Sequence, residues 1–600
     1  MVLHPIDWII ATVCVLICFL PALAFGKRSG KSTSEFFASG RSVPWWLAGI
    51  SLVATTFSSD TPNLVANIVR TQGVAGNWQW WAFTLTGVAT VFFYARLWRR
   101  SGVLTDLEFY ELRYSGRSAS LVRGFRAVYL GLLFNCIIMA TVDLAAVKIA
   151  SVLFGLSRWE TLLGVGLLNV VFAAHSGLWG VLVIDMFQFF IKMAAVIAAA
   201  YFAVELPVVG GLHGLVSKLS ARPGPGGLNY LSMLPDFRDN WQLAVAVFIM
   251  PLAIQWWAVW YPGAEPGGGS YVAQRMLASK SEKDSLGGTL FFNLAHYILR
   301  PWPWILVGLA SLIVYPTTQD IHKAFPNVDS SLMGPDVAFP AMLKFLPAGW
   351  IGLMVGGLIA ANSSTILSHL NWGASYLVHD FYRRFLRPAE SEKHYVRAGR
   401  VATVLLFVLS SALVFVLQTA QQSFYLILQV GAGTGLLYLL RWFWWRITAW
   451  CEIVAMVTSF GISVVFLFLN KRGLVLSADQ QLLITVIVTT ICWVATAYLG
   501  PRTDPQTLID FYCKVRPFGP GWTRFRVAAG VSKEEAAAWA RTDNIPLALL
   551  GWVTGSVLIW AALFMVGNFL YGRYGYAGAL LAVTIVSGTV LINVIRRLWT

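Results

Sequence analysis

Apolar runs of about twenty residues recur from one end of this chain to the other, and each is long enough to cross roughly 30 Å of hydrocarbon. That pattern points to an all-α membrane protein. Composition agrees: 57% of the 600 residues are hydrophobic and 12% charged, against about 25% charged in a soluble domain. About fifteen spans are expected, centred on 6–26, 44–69, 77–98, 122–155, 159–175, 178–206, 241–262, 286–315, 340–378, 398–418, 422–445, 450–470, 480–499, 546–570 and 574–595. The run at 340–378 is too long for one straight crossing and is expected to open with a short amphipathic piece. The first run lacks a basic segment before it and a clear cleavage site after it, and reads as a retained helix, not a signal peptide.

Loop charge orients the bundle. With the N-terminus outside, Lys27, Arg28, Lys31, Arg41, Arg99, Arg100, Arg113, Arg117, Arg275, Lys280, Lys283, Arg383, Arg384, Arg387, Lys393, Arg397, Arg400, Arg441 and Arg446 all fall in inside loops. The outside loops are poorer in positive charge: the only lysine or arginine of 316–334 is Lys323, and in 209–240 Lys218, Arg222 and Arg238 are partly balanced by Asp236 and Asp239. The asymmetry predicts an outside N-terminus and a cytoplasmic C-terminus in the inner membrane. The net charge of +16 is therefore assigned to cytoplasmic loops, and nucleic acid is not an expected partner. The six cysteines include no CxxC pair and read as packing residues. The 27 tryptophans, many at span ends, read mostly as an interfacial belt. In the inside loop 501–545, Ser532 to Glu535 form a capping-box pattern before an alanine-rich stretch, predicting a short surface helix.

Polar groups at bilayer depth are costly unless they face a cavity or a partner. The second span carries Ser51, Thr55, Thr56, Ser58, Ser59, Asp60, Thr61 and Pro62 near its middle. Proline removes an amide and frees carbonyls upstream, and such interrupted helices coordinate ions in secondary transporters. The alternative is a kinked helix whose hydroxyls bond back to their own backbone. In the ninth span Ala361, Ser364, Thr365 and Ser368 lie at i, i+3, i+4 and i+7 and share one face. Oxygen ligands of that kind suit a hard cation; the alternative is a polar helix–helix seam. Asp185 lies well inside the sixth span and is a functional candidate by its depth. Asp143 and Lys148 are five residues apart, about 140° around a helix. His296 and Arg300 are four apart and share a face, where Arg300 either snorkels or binds a carbonyl freed at Pro301 or Pro303.

The sequence here resembles the sodium:solute symporter family, whose members carry sugars, amino acids, sialic acid, vitamins and small anions. The marks are Phe36 to Arg41 before a Trp-Trp span, Ala54 to Ser58, Gly177 to Gly180 followed by Asp185, Gln274 to Lys280, and Ala360 to Ser368 closing with Asp380 to Arg383. Their shared order and spacing, over roughly residues 6–470, carries the resemblance. It implies a LeuT-like core of two inverted five-helix repeats, about 44–208 and 241–446, with one leading helix and about four C-terminal helices over 450–600. It implies a Na⁺ site made by the carbonyls of Ala54, Phe57 and Ala361 and the hydroxyls of Ser364 and Thr365. Asp185, Ser364 and Ser368 match the pattern of a second Na⁺ site, with Leu367 where another serine would stand. Solute-binding candidates are Thr56, Asp60, Thr61, Trp80, Asp143, Gln255, Trp256 and His296. The family's sugar carriers have a lysine where His296 aligns and a glutamate where Trp80 stands, and they lack the glycine-rich segment from Tyr261 to Gly269. That segment reads as a flexible inside loop in preference to a gate.

The expected function is Na⁺-coupled symport of a small solute across the lipid bilayer by alternating access. Asp60 facing the pocket would favour an amino acid or amine over a sugar, with cation–π help from tryptophan. The alternatives for Asp60 are a helix cap or a pair with Lys148. A proton-coupled carrier, relayed by Asp185, Asp60 or Asp143, is the first rival. A membrane sensor is expected not to apply because little chain follows residue 596, and an enzyme because no HExxH, nucleophile elbow or phosphate loop is present.

Overall fold

The computed structural model describes residues 3–257, 266–415, 433–473, 476–532, 534–535, 538–539 and 543–599. The expected spans at 241–262 and 422–445 lie partly outside these residues, and Tyr261 to Glu265 and Lys533 lie wholly outside them. Among the described residues the regular structure is helical, apart from a single bridge between Val43 and Ser279.

Among the described residues, ten helices are long and apolar enough to cross a membrane. They are interleaved with shorter, broken ones. In chain order α1 is Pro5–Ser29, α2 Trp45–Thr55, α3 Asp60–Gln72, α4 Gly116–Phe154 and α5 Arg158–Val204. Then come α6 Trp241–Ala253, α7 Ser270–Ala278, α8 Glu282–Val314, α9 Trp350–Leu386 and α10 Glu392–Leu413. The last four are α11 Ala449–Lys471, α12 Ala478–Leu499, α13 Ile545–Leu570 and α14 Tyr574–Leu598. The expected short piece before α9 is the helix Ala338–Met342.

α5 contains two expected crossings. Ser157 starts it with a capping box, donating its amide to Glu160 and accepting from the Glu160 amide. A straight helix of its 47 residues would be about 70 Å long, more than twice the hydrocarbon thickness. The chain reverses instead. Gly177 takes φ 56° and ψ −160°, while Arg158 bonds Ser331 and Phe202 packs on Trp350. Both ends of α5 therefore meet the 331–350 region, and the turn at Gly177 meets Phe36 and Ser29 at the opposite side. A Cβ at Gly177 would sit 2.9 Å from the Phe36 carbonyl oxygen. Gly177→Ala is expected to cost about 1–3 kcal/mol through backbone strain and to lower the thermal midpoint of the detergent-purified protein. An unchanged midpoint would mean the turn tolerates a side chain.

Several tryptophans depart from the belt reading. Trp8, Trp159 and Trp241 are exposed, whereas Trp78, Trp81, Trp98, Trp304 and Trp442 are buried. Others fasten the C-terminal hairpin α13–α14 to the core: the ring N–H of Trp302 donates to Leu563 O at 2.7 Å, and those of Trp552 and Trp560 donate to Leu85 O and Trp81 O. A large apolar ring with one donor can bury its area and still satisfy its N–H. The 501–545 segment also packs inward. Its helix Pro505–Val515 buries Phe511, and Phe511 and Trp522 flank the buried guanidinium of Arg113. The expected capping box is present between Ser532 and Glu535.

Three basic residues counted above as loop charges are buried: Arg113, Arg275 and Arg441. Arg441 lies over the rings of Phe109, Tyr110 and Tyr438 and pairs with Glu452 at 3.4 Å. The glycine-rich segment is likewise not an exposed loop where it is described. Its described part, Pro266 to Gly269, is buried and leads directly into the buried α7. Gly267 and Gly268 take φ of +84° and +98° against Tyr94 and Trp98, and the Trp98 ring N–H donates to Gly267 O at 2.8 Å. α7 is thus entered through a buried, glycine-bent segment.

Candidate functional site

The site begins where α2 stops. Phe57 to Ser59 connect it to α3, and Pro62 in the first turn of α3 has no amide to donate back toward Ser58. Carbonyls at the end of α2 lose their regular amide partners one turn on. Ala54 O keeps only a tight local bond from the Phe57 amide at 3.1 Å and Val53 O takes the Thr56 hydroxyl at 3.0 Å, and side chains from other helices meet them as well. Arg300 Nη1 donates to Val53 O at 3.1 Å. Lys192 Nζ donates to Ala54 O at 2.8 Å and Phe57 O at 3.2 Å. Thr365 Oγ1 donates to Thr55 O at 2.7 Å. Four carbonyls within five residues are therefore bound by two cations and a hydroxyl.

The expected Na⁺ ligands converge here in part. Ala54 and Phe57 present their carbonyls to one point, and that point is held by the Lys192 ammonium. Thr365 reaches both Thr55 O and, at 3.4 Å, Ala361 O. Ser364 turns to Asp185, donating to Oδ1 at 2.5 Å. Oxygen donors of this type suit a hard cation, so the residues fit Na⁺ chemically, with Lys192 as an additional cation in their midst.

The residues expected for a second Na⁺ surround a guanidinium. Asp185 accepts from Ser51 Oγ and Ser364 Oγ, each at 2.5 Å. Arg275 Nη2 lies 3.7 Å from Asp185 Oδ2 and donates to Ser368 Oγ at 2.7 Å. Its Nε donates to Ser51 Oγ at 3.2 Å and its Nη1 to Gln274 Oε1 at 2.8 Å.

On the other side of the break lies a cavity of about 90 Å³. Five of the solute candidates line it: Thr56, Asp60, Thr61, Trp80 and His296. A widened turn of α8 over Ala295–Leu299 brings in His296 and leads into Arg300, which also lines the cavity; such bulges recur at functional positions. Arg300 Nη2 lies 2.6 Å from His296 Nδ1, and Thr56 Oγ1 is 3.1 Å from the same nitrogen. Arg300 thus binds a carbonyl freed in α2, not one at Pro301 or Pro303. Asp60 takes a hydrogen bond from Ser58 at the start of α3. It does not pair with Lys148, which instead bonds Asp336 at 2.6 Å.

The other three solute candidates lie away from this cavity's walls. Asp143 accepts from Asn362 Nδ2 at 2.9 Å between α4 and α9. Gln255 Nε2 donates to Gln79 O at 3.1 Å, and Trp256 packs on Trp257 and Trp552. Sequence reasoning did not single out Lys192, Arg275 or Ser51 as site residues. Lys192 had a legible signal: a lysine inside an apolar run, seven residues after Asp185 and so on the same helix face.

Comparison with known proteins adds a second line. The sequence model of the sodium:solute symporter family matches residues 36–458. A sodium/glucose cotransporter of Vibrio parahaemolyticus is 26% identical over 478 residues, covering 78% of this chain and 84% of that one. Sodium/glucose cotransporter 1 of Oryctolagus cuniculus is 25% identical, covering 75% and 70%. Sodium/myo-inositol cotransporter 2 of Homo sapiens is 23% identical, covering 82% and 76%. Among solved structures, the substrate-bound outward-open state of a Na⁺-coupled sialic acid symporter matches with a TM-score of 0.66 at 19% identity, over 84% of this chain and 99% of the other. At that identity the match establishes the fold.

Proposed function

The chain belongs to the sodium:solute symporter family, and from that premise we propose that it carries a small polyhydroxylated solute into the cell together with Na⁺. One observation carries the reading. The break between α2 and α3 supplies the carbonyls of Ala54 and Phe57 to a cation position and the side chains of Thr56 and Asp60 to the adjoining cavity. Ion and solute then act on one backbone segment, so each favours binding of the other by the same coupling free energy. The inside-negative potential adds about 2.3 kcal/mol per charge per 100 mV. Ala54, Phe57, Ala361, Ser364 and Thr365 are the ligands of the transported ion in this reading. Arg275 serves as the permanent cation beside Asp185 and Ser368, leaving one Na⁺ per cycle.

The solute class follows from what Asp60 and its neighbours do. The Asp60 carboxylate accepts from Ser58 at a helix start, and its further lone pairs can accept from solute hydroxyls. The cavity offers the hydroxyls of Thr56 and Thr61, the imidazole of His296 and the guanidinium of Arg300 beside the Trp80 ring, a set that suits a ring bearing several hydroxyls. The relatives named above as glucose and myo-inositol cotransporters favour the same class.

We place the N-terminus outside and the C-terminus in the cytoplasm. The basic segments 27–41 and 383–400 meet each other, through Glu392 bound to Thr33 and Arg383, on the side of the Gly177 turn. Uptake into proteoliposomes tests the proposal. A Na⁺ gradient is expected to drive accumulation of a hexose or inositol, and a proton gradient without Na⁺ is expected not to. Proton-driven uptake in Na⁺-free buffer would overturn the ion assignment; Na⁺-driven uptake of an amino acid and of no polyol would overturn the solute class.

A further inference from the structure

The cation position at the break is built around a side chain that no symport step has yet used. Lys192 is 1% exposed and comes from α5, well separated in sequence from the break. Its Nζ bonds Ala54 O and Phe57 O together, at 2.8 and 3.2 Å, and lies 5.2 Å from the centre of the Phe57 ring. An ion bonded to the same two oxygens would fall within bonding distance of that nitrogen. Exclusion is then steric as well as electrostatic, because like charges at contact repel strongly in a poorly solvated interior. Thr365 does not share this conflict, since its hydroxyl is bonded to Thr55 O.

We propose that Lys192 is a tethered occupant of the Na⁺ cage: ammonium and ion hold the Ala54 and Phe57 carbonyls by turns, and Na⁺ enters only when the Lys192 side chain leaves. This rests on the reading above that these carbonyls ligate the transported ion. The lysine has a clear task in such a cycle. Freed carbonyls buried without a donor are costly, and an unloaded carrier must return with its cage empty of Na⁺. Lys192 gives Phe57 O a donor and Ala54 O a second one beside the Phe57 amide, and during that return it holds the last turn of α2 and the linker after it in the relation an ion would otherwise impose. It also sets the apparent Na⁺ affinity, because every binding event must displace it.

Equilibrium binding of radioactive Na⁺ to the purified full-length chain tests this without reference to transport. Lys192→Met is expected to bind Na⁺ at least about tenfold more tightly than the parent. Lys192→Gln retains a neutral donor for one carbonyl, is expected to fall between the two, and serves where the methionine variant does not fold. Equal or weaker binding by these variants overturns the proposal. Adding Thr365→Val to the lysine variant separates the two readings. If it weakens Na⁺ binding, the ion lies in the cage, and unchanged affinity on lysine removal then counts against Lys192 alone. If it leaves Na⁺ binding untouched, the ion lies elsewhere and the cage assignment falls together with the proposal.

Discussion

Arg275→Met is expected to lower the thermal midpoint of the detergent-purified protein more than any other single change considered, with a loss of about 3–5 kcal/mol. Arg275 and Asp185 are both fully buried, with 0% side-chain exposure each. The guanidinium reaches Ser368, Ser51 and Gln274 at once, and so ties α7 to α9 and α2. Methionine fills similar volume and leaves the Asp185 carboxylate without its cation. The two serine hydroxyls that donate to Asp185 do not offset the missing charge, because desolvating a carboxylate costs more than two neutral hydrogen bonds return. The pairing gives the test. Asp185→Asn alone leaves Arg275 uncompensated and is also destabilising, while Arg275→Met with Asp185→Asn should recover part of the loss, since removing both partners of a buried pair is tolerated far better than removing one. Thermal unfolding followed by tryptophan fluorescence reads all four proteins. A double variant no more stable than Arg275→Met would show that the ion pair is not what the guanidinium supplies.

Thr365→Val is expected to have the largest effect on transport, at a folding cost of about 1–3 kcal/mol for the Thr55 carbonyl that loses this donor. The substitution keeps the branched shape and removes one oxygen. That oxygen donates to Thr55 O at 2.7 Å and in the proposed cycle is a ligand of Na⁺. The half-saturating Na⁺ concentration for uptake should rise at least about tenfold, equivalent to about 1.4 kcal/mol. Thr365→Ser, which keeps the hydroxyl, should stay within about twofold of the parent, well under that energy. Unaltered Na⁺ dependence in the valine variant would take Thr365 out of the ion site, whatever its effect on maximal rate.

The division between local and long-range information is visible residue by residue. The interruption near Phe57 to Ser59 is legible because Pro62, Asp60 and a cluster of hydroxyls sit inside an apolar run, and a missing amide acts locally. The stripe of Ser364, Thr365 and Ser368 is legible because helical periodicity fixes which residues share a face. His296 and Arg300 are readable as neighbours for the same reason, and the structure brings them to the cavity. Arg275 reads as a loop charge because it sits in a short helix preceded by glycines, where hydropathy gives no span. Asp143, Gln255 and Trp256 are assigned to the pocket by alignment of spans, which fixes depth and not the direction a side chain faces.

Composition and periodicity within about twenty residues suffice to make this chain a membrane bundle, to place most of its crossings and to show which helix is broken. What meets the broken helix is settled by packing. Lys192, Arg275 and Arg300 contact it from 138, 224 and 247 residues away. Such encounters depend on how helices cross and rotate against one another, which no local pattern encodes. Whether a freed carbonyl faces an ion, a lysine or an arginine is a property of the packed bundle.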